Sequence, residues 1–481
     1  MKISKKVVTF LSIMYVYVNS GVVVASIVNE TEKSQQNLVM IVIDDLRPVI
    51  GAYGDTRAHT PNIDELASKG VVFNHAYANV PVCGASRASL LTSLRPTKTR
   101  FLNYKSKAEE DVPGAKSLPQ VLRESGYYTM AIGKIFHHSR DLDDESWSEG
   151  PVSGGISHST TLNPESDKFK KINQKRPNRP NGPWYESADV DDEDYGDGKA
   201  KEIALTALEK LAKQKRPFFL SVGFIRPHLP FNAPKRYYDL HPKDKFEPFF
   251  HREKPNLSPD GLKGSNEIHT YHFKDYEYNS DDFHVASQRG YYASVSYVDA
   301  LVGDMMRQIS ALGLEENTTV ILLSDHGFNL GEHNFWGKHN MLNTALKIPL
   351  VIAGPGITKN QKTNALVELI DIFPTVTDIA NVSDENEIAG ESFMHVLKNP
   401  ALEHKKQIYS RFKEGDSVVS KEYIYTLYAT ETQGREEMLF DLNKDPSETQ
   451  NAVNQPMYSV VKSKLRSLLV TCIEEFKCET Q

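Results

Sequence analysis

The sequence predicts an α/β protein: a large domain with a mostly parallel central sheet flanked by helices, followed by a small C-terminal α+β subdomain with an antiparallel sheet. Three observations carry this. Apolar runs rich in β-branched residues alternate along most of the chain with segments of helical periodicity. The conspicuous polar residues fall just past the ends of those runs, where open α/β sheets hold ligands. After about residue 400 the alternation stops, and two strand-like runs are followed by one helical segment.

"LVMIVI" (38–43) is a continuous apolar run, the pattern of a strand buried on both faces, and it ends in Asp44 and Asp45. "TPNIDELASKG" reads as a short helix, with Thr60 capping, Pro61 in the first turn and Gly70 ending it. "VVFNHAYA" predicts a strand and "ASRASLLTSL" a helix that starts beside Cys83. "SLPQVLRESG" reads as a helix and "YYTMAIGK" as a strand. Residues 139–198 are polar and rich in Gly, Pro and Asp, and read as loop and insertion. Within them, "DVDDEDYGDG" (189–198) lacks the spacing of a calcium loop and reads as a solvated loop whose last acids cap the next helix.

That helix, "KAKEIALTALEKLAKQ" (199–214), carries Ile203, Leu205, Leu208 and Leu211 on an apolar face. "PFFLSVGF", "TTVILLSDHG" and "IPLVIAGPG" read as strands, and "QRGYYASVSYVDALVGDMMRQISALG" as a long helix. "KEYIYTLYAT" and "EEMLFDLNKD" predict the antiparallel pair, and "MYSVVKSKLRSLLVTCIEEFK" the final helix. The expected organisation is a signal segment over 1–26, a main domain over 36–400 and a subdomain over 401–481.

The net charge of −7 argues against a general nucleic-acid or anionic-membrane binder, though not against a local basic pocket. Lys2, Lys5 and Lys6 precede the apolar "VVTFLSIMYVYV", and small residues near Ala25 and Ser26 follow, the layout of a secretory signal. The apolar run is short for a membrane span, so none is expected once the signal is removed, and a periplasmic or extracellular location follows. In an oxidising compartment cysteines usually pair. Cys472 and Cys478 can close a short loop, and the sequence leaves open whether they do. Cys83 then has no partner, and is either an inert buried thiol or a reactive group.

Its surroundings favour reactivity. A helix start at Cys83 would aim N–H groups at an anion, and Arg87, one turn on, adds a planar fork for anion oxygens. Asp44 and Asp45 at one strand end, with Asp325 and His326 at another, suit a hard divalent cation, although His326 leaves its identity open. Lys134 and His137 follow "YYTMAI", His228 follows "PFFLSVGF", and Lys338 lies beyond the 325 cluster. Together they describe a pocket for a tetrahedral oxyanion ester, with cations neutralising developing charge and a histidine protonating the leaving oxygen. Tyr77, His75, Arg100 and Trp336 lie near these motifs and could line the pocket or pack.

"CGASR" resembles the C-x-[P/A]-x-R signature of the formylglycine-dependent (type I) sulfatases of the alkaline-phosphatase superfamily, with Ala85 where proline is more usual. "IDDLRP", "TPNIDELASKG", "GKIFH", "RPHLPF" and "SDHGFNLGEHNFWGK" look closest to the iduronate-2-sulfatase branch, in order from about residue 38 to 380. "EEMLFDLNKDPSETQN" resembles a segment that closes many sulfatases. The resemblance implies an alkaline-phosphatase-like fold and a Ca²⁺-dependent sulfatase, exported if the signal reading holds. Its substrate would be a sulfated carbohydrate, either an algal polysaccharide such as ulvan or carrageenan or a glycosaminoglycan.

It also implies that a formylglycine-generating maturation enzyme converts Cys83 to an aldehyde whose hydrate is the nucleophile, with Arg87 stabilising the hydrate. Asp44, Asp45, Asp325, His326 and the modified residue 83 would hold one Ca²⁺. Lys134 and Lys338 would hold sulfate oxygens, His137 would act as base and His228 as the acid for the leaving alcohol. The alternative is a phosphatase or phosphonate monoester hydrolase of the same superfamily. Phosphoryl enzymes there usually carry Ser or Thr and often a second metal site.

Overall fold

The computed structural model describes residues 35–475, apart from 139, 154, 155, 158, 178–180, 384, 385 and 431–433. The expected signal segment and Cys478 lie outside the described residues. At the centre is a nine-stranded sheet. Its middle strand, β1 (Asn37–Ile43), runs parallel to Phe218–Phe224 on one side and to Thr318–Ser324 on the other. Tyr128–Gly133 lies beyond the first neighbour, also parallel. Leu350–Ala353 runs antiparallel between Thr318–Ser324 and Gly70–Tyr77, and the short Lys347–Ile348 also runs antiparallel to Gly70–Tyr77, in an otherwise parallel sheet.

β1 shows why the sheet is interior. Leu38, Met40 and Val42 join the hydrophobic cluster on one face, and Val39, Ile41 and Ile43 join the cluster on the other. Each such burial is worth about 1.5–3 kcal/mol, which anchors a strand whose end must hold two carboxylates out of water. Register then places the polar residues. Ile43 pairs with Phe224 and with Ser324, so residues 44, 225 and 325 leave the sheet side by side. Gly133 pairs with Gly223, which brings Lys134 to the same edge. A side chain at Gly223 would put its Cβ 2.0 Å from the Lys134 carbonyl oxygen, so glycine permits that approach.

Several expectations need correction. Gly70 opens its strand; the preceding helix, Pro61–Ser68, ends at Lys69. Thr60 makes no side-chain cap, because its hydroxyl accepts the Gly51 amide instead. Residues 139–198 contain the helix Pro164–Asn173 and a strand, Glu149–Val152, that extends the central sheet. The following helix starts at Gly196 rather than 199. The C-terminal sheet has four antiparallel strands, because Ile408–Phe412 and Gly415–Val419 precede the two expected ones. One of its faces shares the main core through Ile408, Val419, Ile424 and Phe440. The other packs on the final helix, Ser459–Glu475, through Leu465 and Leu469.

Near this junction Glu448 is buried, and its carboxylate accepts the Asn343 amide at 2.9 and 3.1 Å. Burial outweighs that hydrogen bond and lifts its pKa to about 8. The folded state therefore keeps a proton that the unfolded chain releases near the ordinary glutamate pKa. The associated stability is complete below that value and is lost as pH rises toward 8, at about 1.4 kcal/mol per pH unit. Thermal unfolding between pH 5 and 8 should show a falling Tm that flattens in Glu448→Gln. An equal slope in both proteins would contradict this.

Candidate active site

Three carboxylates sit fully buried at the C-terminal edge of the sheet. Asp44 accepts the Lys134 ammonium at 2.5 Å on one oxygen and Arg87 at 3.2 Å on the other. Asp45, in the left-handed region at φ 63°, donates its amide to Asp325 at 3.2 Å. One Asp45 oxygen meets Lys338 at 2.9 Å. The other, Oδ1, is buried with no hydrogen-bond partner. Asp325 accepts Arg87 Nε at 2.8 Å. Burial raises Asp325 to about 7 against the pull of Arg87, and burial also raises Asp45. Asp44 stays well below the carboxylate range, because Lys134, His228 and Arg87 overcome its burial.

Arg87 ties the carboxylates to the next strand end. Its guanidinium also donates to the backbone carbonyls of Lys134 and Ile135, the second at 3.0 Å. All of this happens at zero exposure, and every guanidinium nitrogen has a partner inside the protein.

Cys83 is the first residue of the helix Cys83–Thr92, behind Val82, which offers no side-chain cap. The first amides of the helix and its positive end are thus directed toward the site. Gly84 allows close packing here, since a Cβ would lie 2.3 Å from the Tyr104 carbonyl oxygen. The thiol is buried and unpaired, with His326 Nε2 at 3.2 Å from its sulfur. Burial and Asp44 push its pKa up, but Lys134, Lys338 and His326 push harder, and it falls well below the ordinary thiol range. For His326, burial lowers the pKa, yet Asp325 and the Cys83 sulfur hold it at about 9.

The remaining cations surround this centre. His228 Nδ1 lies 2.6 Å from the Leu229 carbonyl, which leaves Nε2 facing the site. That nitrogen is 3.1 Å from Glu267 and 3.9 Å from Asp45. Burial and Lys338 lower its pKa, but these carboxylates raise it well above the usual value. Lys338 is buried and reaches Glu267 at 2.9 Å. His137 is half-buried; burial lowers its pKa, and the nearby Cys83 opposes this.

The structure therefore brings Asp44, Asp45, Cys83, Arg87, Lys134, His137, His228, Asp325, His326 and Lys338 to one edge of the sheet. Asp44, Cys83, Asp325 and His326 offer ligand atoms within 4.8 Å of one another. Asp45 instead groups with Cys83 and His228, because Lys338 holds its carboxylate. The donor set suits a divalent cation: two carboxylates, an imidazole and a sulfur, all buried, with Asp45 Oδ1 nearby, 3.4 Å from His326 Nδ1 and without a hydrogen bond.

Two participants were not read from the sequence. Glu267, in the short turn Glu267–Thr270, bridges His228 and Lys338. Asp197 caps nothing. It is buried and accepts the amides of Ile225 and Arg226 at 2.7 and 3.0 Å, fixing the loop that carries His228. Tyr77 and Trp336 are buried packing residues.

Positive charge thus converges on a small volume in front of Cys83, at the strand ends of an alkaline-phosphatase-like sheet. The class this defines is a hydrolase of tetrahedral oxyanion esters. Comparison with known proteins narrows it. The family model described as "Sulfatase" matches residues 36–382, and "N-sulphoglucosamine sulphohydrolase, C-terminal" matches 331–475. Iduronate 2-sulfatase of Mus musculus is 32% identical over 391 residues, covering 72% of this chain and 69% of that protein. A sulfatase of Formosa agariphila is 31% identical over 458 residues, covering 91% of this chain and 86% of that protein. A solved structure in complex with its substrate, D-glucosamine-2-N,6-O-disulfate, superposes with a TM-score of 0.71 at 19% identity, covering 92% of this chain and 98% of that one. The chain belongs to the sulfatase family. It is a sulfuric ester hydrolase.

Proposed function

We propose that this protein is an exported sulfatase that removes O-sulfate from a sulfated carbohydrate, with residue 83 as nucleophile after conversion to formylglycine. The observation that carries the reading is Cys83 itself: unpaired, buried at a helix N-terminus, and faced by Lys134, Lys338 and His326. The relatives named for iduronate and for a disulfated glucosamine support a carbohydrate substrate, and the signal-like residues 1–26 support export to the periplasm or beyond.

Asp44, Asp325, His326 and the modified residue 83 would hold one divalent cation, with Asp45 joining through Oδ1, the oxygen that Lys338 leaves free; the ion, Ca²⁺ by the preference of carboxylate oxygens, would supply Lewis-acid polarisation of a sulfate oxygen. Formylglycine at position 83 supplies, as its hydrate, a nucleophile with a second hydroxyl, so that sulfate can leave without water attacking sulfur. The chain's own residues do the rest. Lys134 and Lys338 bind the remaining sulfate oxygens and neutralise charge that grows as the S–O bond breaks. His228, held protonated by Glu267 and Asp45, gives its Nε2 proton to the leaving sugar oxygen. His137, kept neutral by burial, takes a proton from residue 83.

The test is direct. Protein matured in its own host should release sulfate from 4-nitrophenyl sulfate and leave 4-nitrophenyl phosphate nearly untouched. A preference for the phosphate would replace this reading with the phosphohydrolase alternative.

A further inference from the structure

Beside the catalytic pocket lies a second collection of cations. Tyr104 stands at the mouth: its backbone lies over Gly84, its carbonyl meets His138 Nε2 at 2.8 Å, and its ring packs edge-on against His137 with centroids 6.5 Å apart. Tyr104 as a whole is 53% exposed. From there the chain runs back through Asn103 and Leu102, which line a cavity of about 600 Å³ together with Lys98, Arg411 and Lys413. An adjoining cavity of about 670 Å³ shares Lys98 and Arg411 and adds Arg95 and Arg100. On the opposite side, His339 follows the catalytic Lys338 in the chain and stacks on Phe412, with ring centroids 5.3 Å apart. A smaller hollow there reaches Lys413. The hollow and the cavity of about 600 Å³ share Lys413 and Glu414, and both are lined by chain neighbours of residues at the catalytic pocket.

Cations outnumber acids in the groove formed by the two larger cavities, whose acidic lining residues are Glu391, Glu414 and Asp416. Glu368 neutralises Arg95, and Asp416 neutralises Arg411. Among the described residues, Lys98, Arg100 and Lys413 make no ion pair. Lys413 sits at the tip of the two-residue turn joining Ile408–Phe412 to Gly415–Val419, where Phe412 pairs with Gly415, so a rigid hairpin presents it. Unpaired cations collected along a concavity, on a chain of net charge −7, focus the field on an anion.

We propose that this groove binds the sulfated sugars that flank the one being hydrolysed. The substrate is then a sulfated oligosaccharide or polysaccharide rather than a single sulfated sugar. Tyr104 offers a flat apolar face for a pyranose at the mouth, and Lys98, Arg100 and Lys413 meet the anionic groups further along. The inference rests on the sulfatase reading above.

Lys98 and Lys413 are exposed and outside the catalytic machinery, so Lys98→Glu/Lys413→Glu tests it with little risk to the fold, as an unchanged Tm would verify. With ulvan and heparan sulfate octasaccharides as probes, KM should rise about tenfold for the octasaccharide the enzyme desulfates. KM for 4-nitrophenyl sulfate should not move. The wild-type KM for the octasaccharide should climb with NaCl more steeply than that of the variant. Calorimetric binding of the same octasaccharides to Cys83→Ala protein, with and without the two reversals, separates the groove from the chemistry. Octasaccharide binding by Cys83→Ala that weakens on charge reversal, together with matured wild-type protein that releases sulfate from neither octasaccharide nor from 4-nitrophenyl sulfate, would uphold the groove and fault the proposed function. Equal octasaccharide affinity with and without the reversals, or an equal loss on the aryl sulfate, would overturn the groove.

Discussion

Cys83→Ala should reduce sulfate release to background, a loss of about five orders of magnitude or more, while the protein stays folded. The neighbouring hydroxyls offer no substitute. Ser86 donates to the Asp325 carbonyl at 2.5 Å, and the single Ser324 hydroxyl proton is shared between the carbonyls of Ile43 and His326. Removing one buried sulfur costs about 1 kcal/mol of stability, so unfolding should shift only slightly. Sulfate release and thermal unfolding, measured on one preparation, give both halves of the result. Cys83→Ser sharpens it. An ordinary alcohol can accept sulfate but has no second hydroxyl with which to expel it, so that variant should gain one sulfate per chain and stop. Sustained turnover by either variant would contradict the mechanism.

The second large effect concerns stability. Arg87→Ala should destabilise the protein by about 3–5 kcal/mol, because it strands Asp44 and Asp325 at zero exposure without their shared cation. Arg87→Lys should recover only part of this. An ammonium is a point charge and cannot reach two carboxylates and two carbonyls in one plane. Urea unfolding with EDTA present measures the difference without interference from bound metal. A loss below about 1 kcal/mol would mean that the three-strand network is not held by Arg87.

Much of this was legible in the sequence because the chemistry and the hydrophobic pattern coincide. "LVMIVI" is apolar at every position because both faces of β1 are covered, and its end is marked by two adjacent acids. Cys83, Arg87, Asp325 and His326 were readable for the same reason: each follows a strong strand or opens a helix. Direction and register were not readable. Leu350–Ala353 looks like any buried strand, and nothing local says that it runs against its neighbours. Glu149–Val152 is four residues long and more exposed than buried, so it carries no strand signal.

Glu267 lies in a turn within a long irregular stretch, far in sequence from His228 and Lys338, and only the folded chain brings the three together. Asp197 was hidden among neighbouring acids. Composition alone could not show that one member of an acidic run turns inward to hold the loop that carries His228.

The most direct test of the central claim is the mass of the peptide carrying residue 83, taken from protein made in its own host. The account predicts the mass of the aldehyde or its hydrate in place of cysteine. An unmodified cysteine in fully active protein would contradict it, and the nucleophile would have to be sought elsewhere in the site.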